Sequence, residues 1–82
     1  MIREQLVSDI QVIVRKVFQK PELVVTDELG ATDVDTWTSM SFTQLISAIE
    51  KQYGFKFKLM ELLQFRNIGA VIDATLKHVN NV

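Results

Sequence analysis

The stretch 33–42, DVDTWTSMSF, sets four hydroxyl side chains, Thr36, Thr38, Ser39 and Ser41, beside Asp33, Asp35 and the only tryptophan. A serine nucleophile needs a positioned base and oxyanion donors. The only histidine, His78, lies near the end of the chain and reads as a surface residue on a last helical turn. Paired carboxylates need a cleft, and the D-x-D of Asp33 and Asp35 lacks the rest of a calcium loop, so neither catalysis nor a metal site is expected. The absence of cysteine excludes disulfides, thiolate metal sites and a cysteine nucleophile, so thioester chemistry would need a thiol from outside the chain. A serine at a helix start has another use. Free N–H groups and positive potential make that end a place to hold a phosphate. It is also where an ordinary cap belongs, with Thr36 or Thr38 as N-cap and Ser39 inside the first turn. On the residues alone, both readings stand.

These side chains must be placed by helices. Residues 2–19 set Ile2, Leu6, Ile10, Ile13, Val14, Val17 and Phe18 at helical spacing without glycine or proline, and Pro21 follows as a stop. Residues 21–38 have no clean period and read as a long loop. Leu23, Val24, Val25, Leu29 and Val34 are available to pin it, and Trp37 to close it by packing. Residues 39–53 put Phe42, Leu45, Ile46, Ile49 and Tyr53 on one helical face, with Gly54 as the C-terminal stop. FKFK at 55–58 is too short to build a sheet and reads as an extended connector burying Phe55 and Phe57. Residues 59–65 suit a short helix or turn. Asn67 is placed to cap a last helix over 68–79, lined by Ile68, Val71, Ile72, Leu76 and Val79, with Lys77 and His78 at the negative end of its dipole. The expected architecture is all-α: a small four-helix bundle of three main helices and a short third one, with a long loop between the first two.

With 82 residues, 48% of them hydrophobic, the chain suits one domain, 1–82, with a real core. No segment approaches a membrane span and no signal-peptide pattern opens the chain, so a cytoplasmic protein is expected. Charge is unevenly spread: net +2 over residues 1–20, −6 over 21–50 and +3 over 51–82. An acidic middle argues against nucleic acid and for a basic protein partner, unless it is simply a solvated loop.

DVDTWTSMSF, the helix after it and NIGAVIDATL together resemble the acyl carrier protein family, including peptidyl and D-alanyl carriers. Many members read D-V-D-G-W-D-S-L here, then a helix with L-I and A-I-E, then F-G, and later a T-V-G-D-A-I-D-type helix. The fifteen-residue step from Ser39 to Gly54 matches the family and selects Ser39 over Ser41 and Ser47. The resemblance spans residues 5–80. It implies a four-helix carrier with 4′-phosphopantetheine on Ser39, installed from coenzyme A by a phosphopantetheinyl transferase. The thiol of that arm would carry an acyl or aminoacyl group, which agrees with a chain that has no cysteine.

The resemblance also implies the partners: an acyl- or aminoacyl-loading ligase and downstream acyl-transfer enzymes, meeting an acidic carrier surface. Asp35, Thr38, Met40, Gln44 and Glu50 are the expected recognition residues, and a monomer is the expected state. The chain departs from the pattern at Thr38, where the family has an aspartate that helps engage the transferase and its magnesium. Threonine can cap the helix but supplies no carboxylate. Met40 replaces leucine. Gln44, Glu50, Lys51 and Gln52 make the central helix less acidic than is usual, which points to a specialised lipid or secondary-metabolite pathway. From a different class comes the alternative of a carrier-like interaction module that is never modified.

Overall fold

A computed structural model describes residues 1–80. The four helices are α1 (Arg3–Val17), α2 (Ser39–Tyr53), α3 (Leu59–Leu62) and α4 (Ile68–Asn80), with a 3₁₀ turn at Ala31–Asp33 inside the long loop. No strand occurs among the described residues, and no described helix is long and apolar enough to cross a membrane.

α1 packs on α2 and α4. Its buried residues, Leu6, Ile10, Ile13 and Val14, follow the i, i+4, i+7, i+8 pattern that defines one helical face. They meet Leu45, Ile46 and Ile49 of α2 and Ile68, Val71 and Ile72 of α4 in one core. Ile2, expected on that face, is instead 68% exposed, because it precedes the first helical turn in an extended conformation. The far end of α1 closes in a Schellman arrangement. Gln19 takes φ 56°, its N–H donates to Lys16 O, and Lys20 N–H donates to Arg15 O. Phe18, at the cap, is fully buried.

The loop is held by its backbone as much as by its apolar residues. Val25, Leu29 and Val34 are buried, whereas Val24, counted with them from the sequence, faces solvent. Gln11 Oε1 accepts from Val25 N (2.9 Å), and Arg15 Nε donates to Leu23 O (2.7 Å). The loop then caps α4. Ile68 N donates to Leu29 O (2.8 Å) and Gly69 N to Asp27 O (3.0 Å), which satisfies two of the orphan donors at that helix start. Asn67 Oδ1 takes a third, from Ala70 N at 2.9 Å. So close an approach requires glycine at 69, where a Cβ would stand 2.8 Å from the Asp27 carbonyl oxygen. Arg3 clamps the same corner, bonding Asp27 at 2.8 Å and Asp73 at 3.1 Å.

α2 ends at Gly54 in the left-handed conformation (φ 73°), as its residue type demands. Tyr53 Oη donates to Asp9 Oδ2 (3.1 Å), tying α2 to α1. The connector buries Phe57 and half-buries Phe55, as the alternation of FKFK led one to expect. His78 corrects the sequence reading. It is not a free surface residue but lies flat on Phe55, ring centroids 4.5 Å apart, with Nε2 2.9 Å from Glu61 Oε1.

Glu61 Oε1 also accepts from Lys58 N (2.8 Å), so this one carboxylate both caps α3 and pins it to α4. Burial pushes the Glu61 carboxyl up, but the Lys58 amide and the His78 hydrogen bond outweigh it, and the net shift is downward. A carboxylate whose folded pKa is depressed stabilises the fold above its unfolded pKa, and that contribution is lost as pH falls through the folded value. Urea midpoints should therefore fall more steeply with acidification, below the ordinary glutamate range, in wild type than in Glu61→Gln. Parallel acid limbs in the two proteins would refute the assignment.

Candidate functional site

The start of α2 is built from the six residues Thr36 to Ser41, anchored from behind by an aromatic stack. Trp37 lies between Phe18 (5.1 Å) and Phe42 (5.8 Å, nearly parallel), so it packs the loop end onto the bundle. Thr36 Oγ1 donates to Phe18 O at 2.6 Å, fixing the chain just before the helix.

Thr38 is the N-cap, and the cap is reciprocal. Thr38 Oγ1 accepts from Ser41 N (3.1 Å), and Ser41 Oγ accepts from Thr38 N (2.8 Å). This is a capping box with serine where glutamate or glutamine is usual. Ser41 Oγ has one proton, and Thr36 O, at 2.8 Å, is its closest carbonyl acceptor. Ser41 is buried at 9% exposure and its hydroxyl is committed to the local backbone. The T-x-x-S spacing was a legible signal for this role, though the sequence reading treated Ser41 only as a rejected attachment site.

Ser39 is different in each respect. It is the first residue of α2, it is exposed, and its hydroxyl has no hydrogen-bond partner among the described residues. The N–H groups of the first turn point outward at this end. No acidic residue occupies that turn to offset the positive potential of the helix end. A phosphate ester on Ser39 Oγ fits: the oxygen is reachable, the potential is favourable, and the cap remains intact because it uses Thr38 and Ser41.

The other expected recognition residues divide. Met40 is 72% exposed beside Ser39, and Gln44 is exposed one turn on. Asp35 is exposed but paired with Lys20 at 2.8 Å, whose hydrogen bond holds the carboxyl below its ordinary range. Glu50 does not belong with them. Its side chain is 13% exposed, Oε2 accepts from Phe57 N at 2.7 Å, and Oε1 lies 3.8 Å from Lys56 Nζ. It staples the connector to α2.

Other carboxylates of the acidic zone also have partners within the chain. Asp27 bonds Arg3, Asp33 Oδ2 accepts from Gly30 N (2.9 Å), Asp35 pairs with Lys20, and Glu50 turns inward. Four of its six carboxylates thus bond groups of the chain itself, and of the six only Glu50 is drawn inward; Glu22, Asp27, Glu28, Asp33 and Asp35 remain exposed. Around α3, Leu59, Met60 and Leu63 are exposed although each is large and apolar. Phe42, Ile46 and Leu62 line a groove of about 260 Å³ between α2 and α3. Among the described residues no three metal-ligating side chains converge.

A family model described as the phosphopantetheine attachment site matches residues 8–75. The solution NMR structure of a holo acyl carrier protein from Geobacter metallireducens superposes with a TM-score of 0.86 at 35% sequence identity, over 92% of this chain and 86% of that one. No curated protein sequence matches the chain. A match over most of the chain, and a fold shared at that identity with a holo carrier, place it in the acyl carrier protein family, whose members carry a covalently attached 4′-phosphopantetheine.

Proposed function

We propose that Ser39 is the attachment residue and that the chain, as a single carrier domain, holds acyl or aminoacyl intermediates as thioesters for successive enzymes. The observation that carries this reading is the contrast between two neighbouring serines. Ser39 is exposed with an uncommitted hydroxyl, whereas Ser41 is buried and bonded to the backbone. In attachment, Ser39 Oγ would attack the pantetheine-bearing phosphorus of coenzyme A: the Oγ–P bond forms, the pyrophosphate P–O bond breaks, the nucleotide bisphosphate leaves and the serine proton is lost. The arm supplies a terminal thiol, which a chain without cysteine cannot provide itself. The chain's own residues position the arm: Thr38 and Ser41 fix the helix start, and Trp37 keeps that start on the bundle.

Thr38, Met40 and Gln44 are the residues we assign to recognition, with Asp35 at the edge of the same surface. Glu50 leaves that set because its carboxylate is engaged internally. The carrier itself performs no catalysis in this reading. It works in the cytoplasm as a monomer in a specialised lipid or secondary-metabolite pathway, with a phosphopantetheinyl transferase, a loading ligase and acyl-transfer enzymes as partners.

Incubation with coenzyme A and a broad-specificity transferase should add a phosphopantetheine-sized mass to the intact protein. No gain with several transferases would sink the carrier reading in favour of an unmodified interaction module, which Thr38 favours. Thr38→Asp retains a good N-cap while restoring a carboxylate beside the serine. It should speed modification severalfold in the same assay, and an unchanged rate would show that the threonine is neutral to the transferase.

A further inference from the structure

An open cavity of about 430 Å³ lies where the long loop meets the end of α1, lined by Lys20, Leu23, Thr32, Asp33, Val34 and Asp35. Small-molecule sites run from ~300 to ~1,000 Å³. The lining combines three kinds of group. Val34 is buried and Leu23 half-buried, which gives an apolar wall, and Thr32 adds a hydroxyl. Asp33, Asp35 and Lys20 carry charge: two carboxylates against one ammonium leave a net −1. Asp33 Oδ2 accepts from Gly30 N (2.9 Å), and its Oδ1 has no hydrogen-bond partner among the described residues. The Lys20–Asp35 pair, at 2.8 Å, is open to water, with side chains 40% and 80% exposed, so it is weak and yields to a second cation. The cavity is therefore short of one positive charge, and that charge is wanted beside an apolar wall.

The cavity is close to Ser39. Asp35 precedes Ser39 by four residues, at most ~14 Å of extended chain. Trp37 N donates to Val34 O at 3.1 Å, which folds 34–37 into a turn and shortens that span. An extended pantetheine arm covers such a distance. We propose that the cavity receives an aminoacyl group carried on the arm, its α-ammonium between Asp33 and Asp35 and its side chain against Leu23 and Val34. The cargo class is then an α-amino acid with a small apolar side chain. This rests on Ser39 bearing the arm. A fatty acyl chain fits less well, because it has no group for either carboxylate. A divalent cation would answer the charge but leave the apolar wall unused, and no three ligating side chains converge among the described residues. Tethering supplies the affinity that so open a site lacks, since a short flexible link holds its end at roughly millimolar effective concentration.

Coenzyme A analogues that carry a valyl or an isovaleryl group through a stable amide, delivered by a broad-specificity transferase, test this on the full chain. The two cargoes differ only in the amino group. The comparison is made with chelator present at about pH 6, where an α-amino group is protonated. The valyl arm should shift the NMR signals of Leu23, Thr32, Asp33 and Val34 and give nuclear Overhauser contacts to the Leu23 and Val34 methyls. The isovaleryl arm should do neither. Asp33→Asn keeps an oxygen for Gly30 N and should lower the docked fraction about two- to fivefold, the range of one exposed ion pair. Lys20→Gln removes the competing cation and should raise it. Variants are compared at equal loading by intact mass, and circular dichroism confirms that they keep their helices. Equal shifts from the two cargoes overturn the proposal. So does an Asp33→Asn variant that docks like wild type, or a Lys20→Gln variant that docks less. Saturable binding of free valinamide to the unmodified chain at micromolar concentration also overturns it, because the cavity would then serve a diffusing amine. A mass gain without valyl-specific shifts sinks the cavity alone, whereas no gain at all sinks the carrier reading and this proposal with it.

Discussion

Ser39→Ala should abolish the phosphopantetheine mass gain completely and leave stability within about 0.5 kcal/mol of wild type, as for an exposed side chain with no partner. Ser41→Ala should do the opposite. It keeps the exposed hydroxyl at 39 and so keeps the modification. It also removes the acceptor of Thr38 N and the donor to Thr36 O at a buried position. Leaving such groups unsatisfied costs about 1–3 kcal/mol. Intact mass and urea denaturation, run on both variants, separate chemistry from architecture two residues apart. Retention of the mass gain in Ser39→Ala with loss in Ser41→Ala would refute the assignment of roles. The separation is possible because the cap and the attachment point use different atoms. In a capping box that enlisted Ser39, the same substitution would disturb both.

The same division explains what the sequence could and could not reveal. α2 was legible from end to end, since its apolar spacing, its cap-forming hydroxyls and Gly54 are all local signals. Asn67 as a cap was legible for the same reason. His78 and Glu50 were not. Each is a polar residue on a helix, and a helix pattern places such a residue on a face without saying which distant group its side chain meets. His78 is drawn in by Phe55 and by Glu61, 17 residues away, and Glu50 by an amide in the connector. The partners of the acidic zone were hidden likewise. The loop returns to α1, where Arg3 pairs with the still exposed carboxylate of Asp27, and no local pattern announces that pairing. Ser39 itself was selected by its spacing to Gly54. What the structure adds is a physical ground for preferring it, through the commitment of its neighbour.

Phe18→Ala should have the largest effect on the fold, a loss of about 3–5 kcal/mol from truncating a fully buried aromatic ring. At ~0.05–0.15 kcal/mol per residue a chain this size holds about 4–12 kcal/mol in all, so the variant sits near the edge of folding. The effect reaches the site by a short route. Phe18 stacks on Trp37, and its carbonyl receives Thr36 Oγ1, so the ring and its backbone hold the two residues that lead into the cap. Trp37 emission should shift to the red in the variant before any denaturant is added, as the indole loses one of its two ring neighbours. Trp37→Phe retains an aromatic ring between Phe18 and Phe42 and should cost far less. An unshifted emission spectrum in folded Phe18→Ala would show that Phe42 alone suffices to hold the loop end, and the start of α2 would then be positioned by its cap and not by the stack behind it.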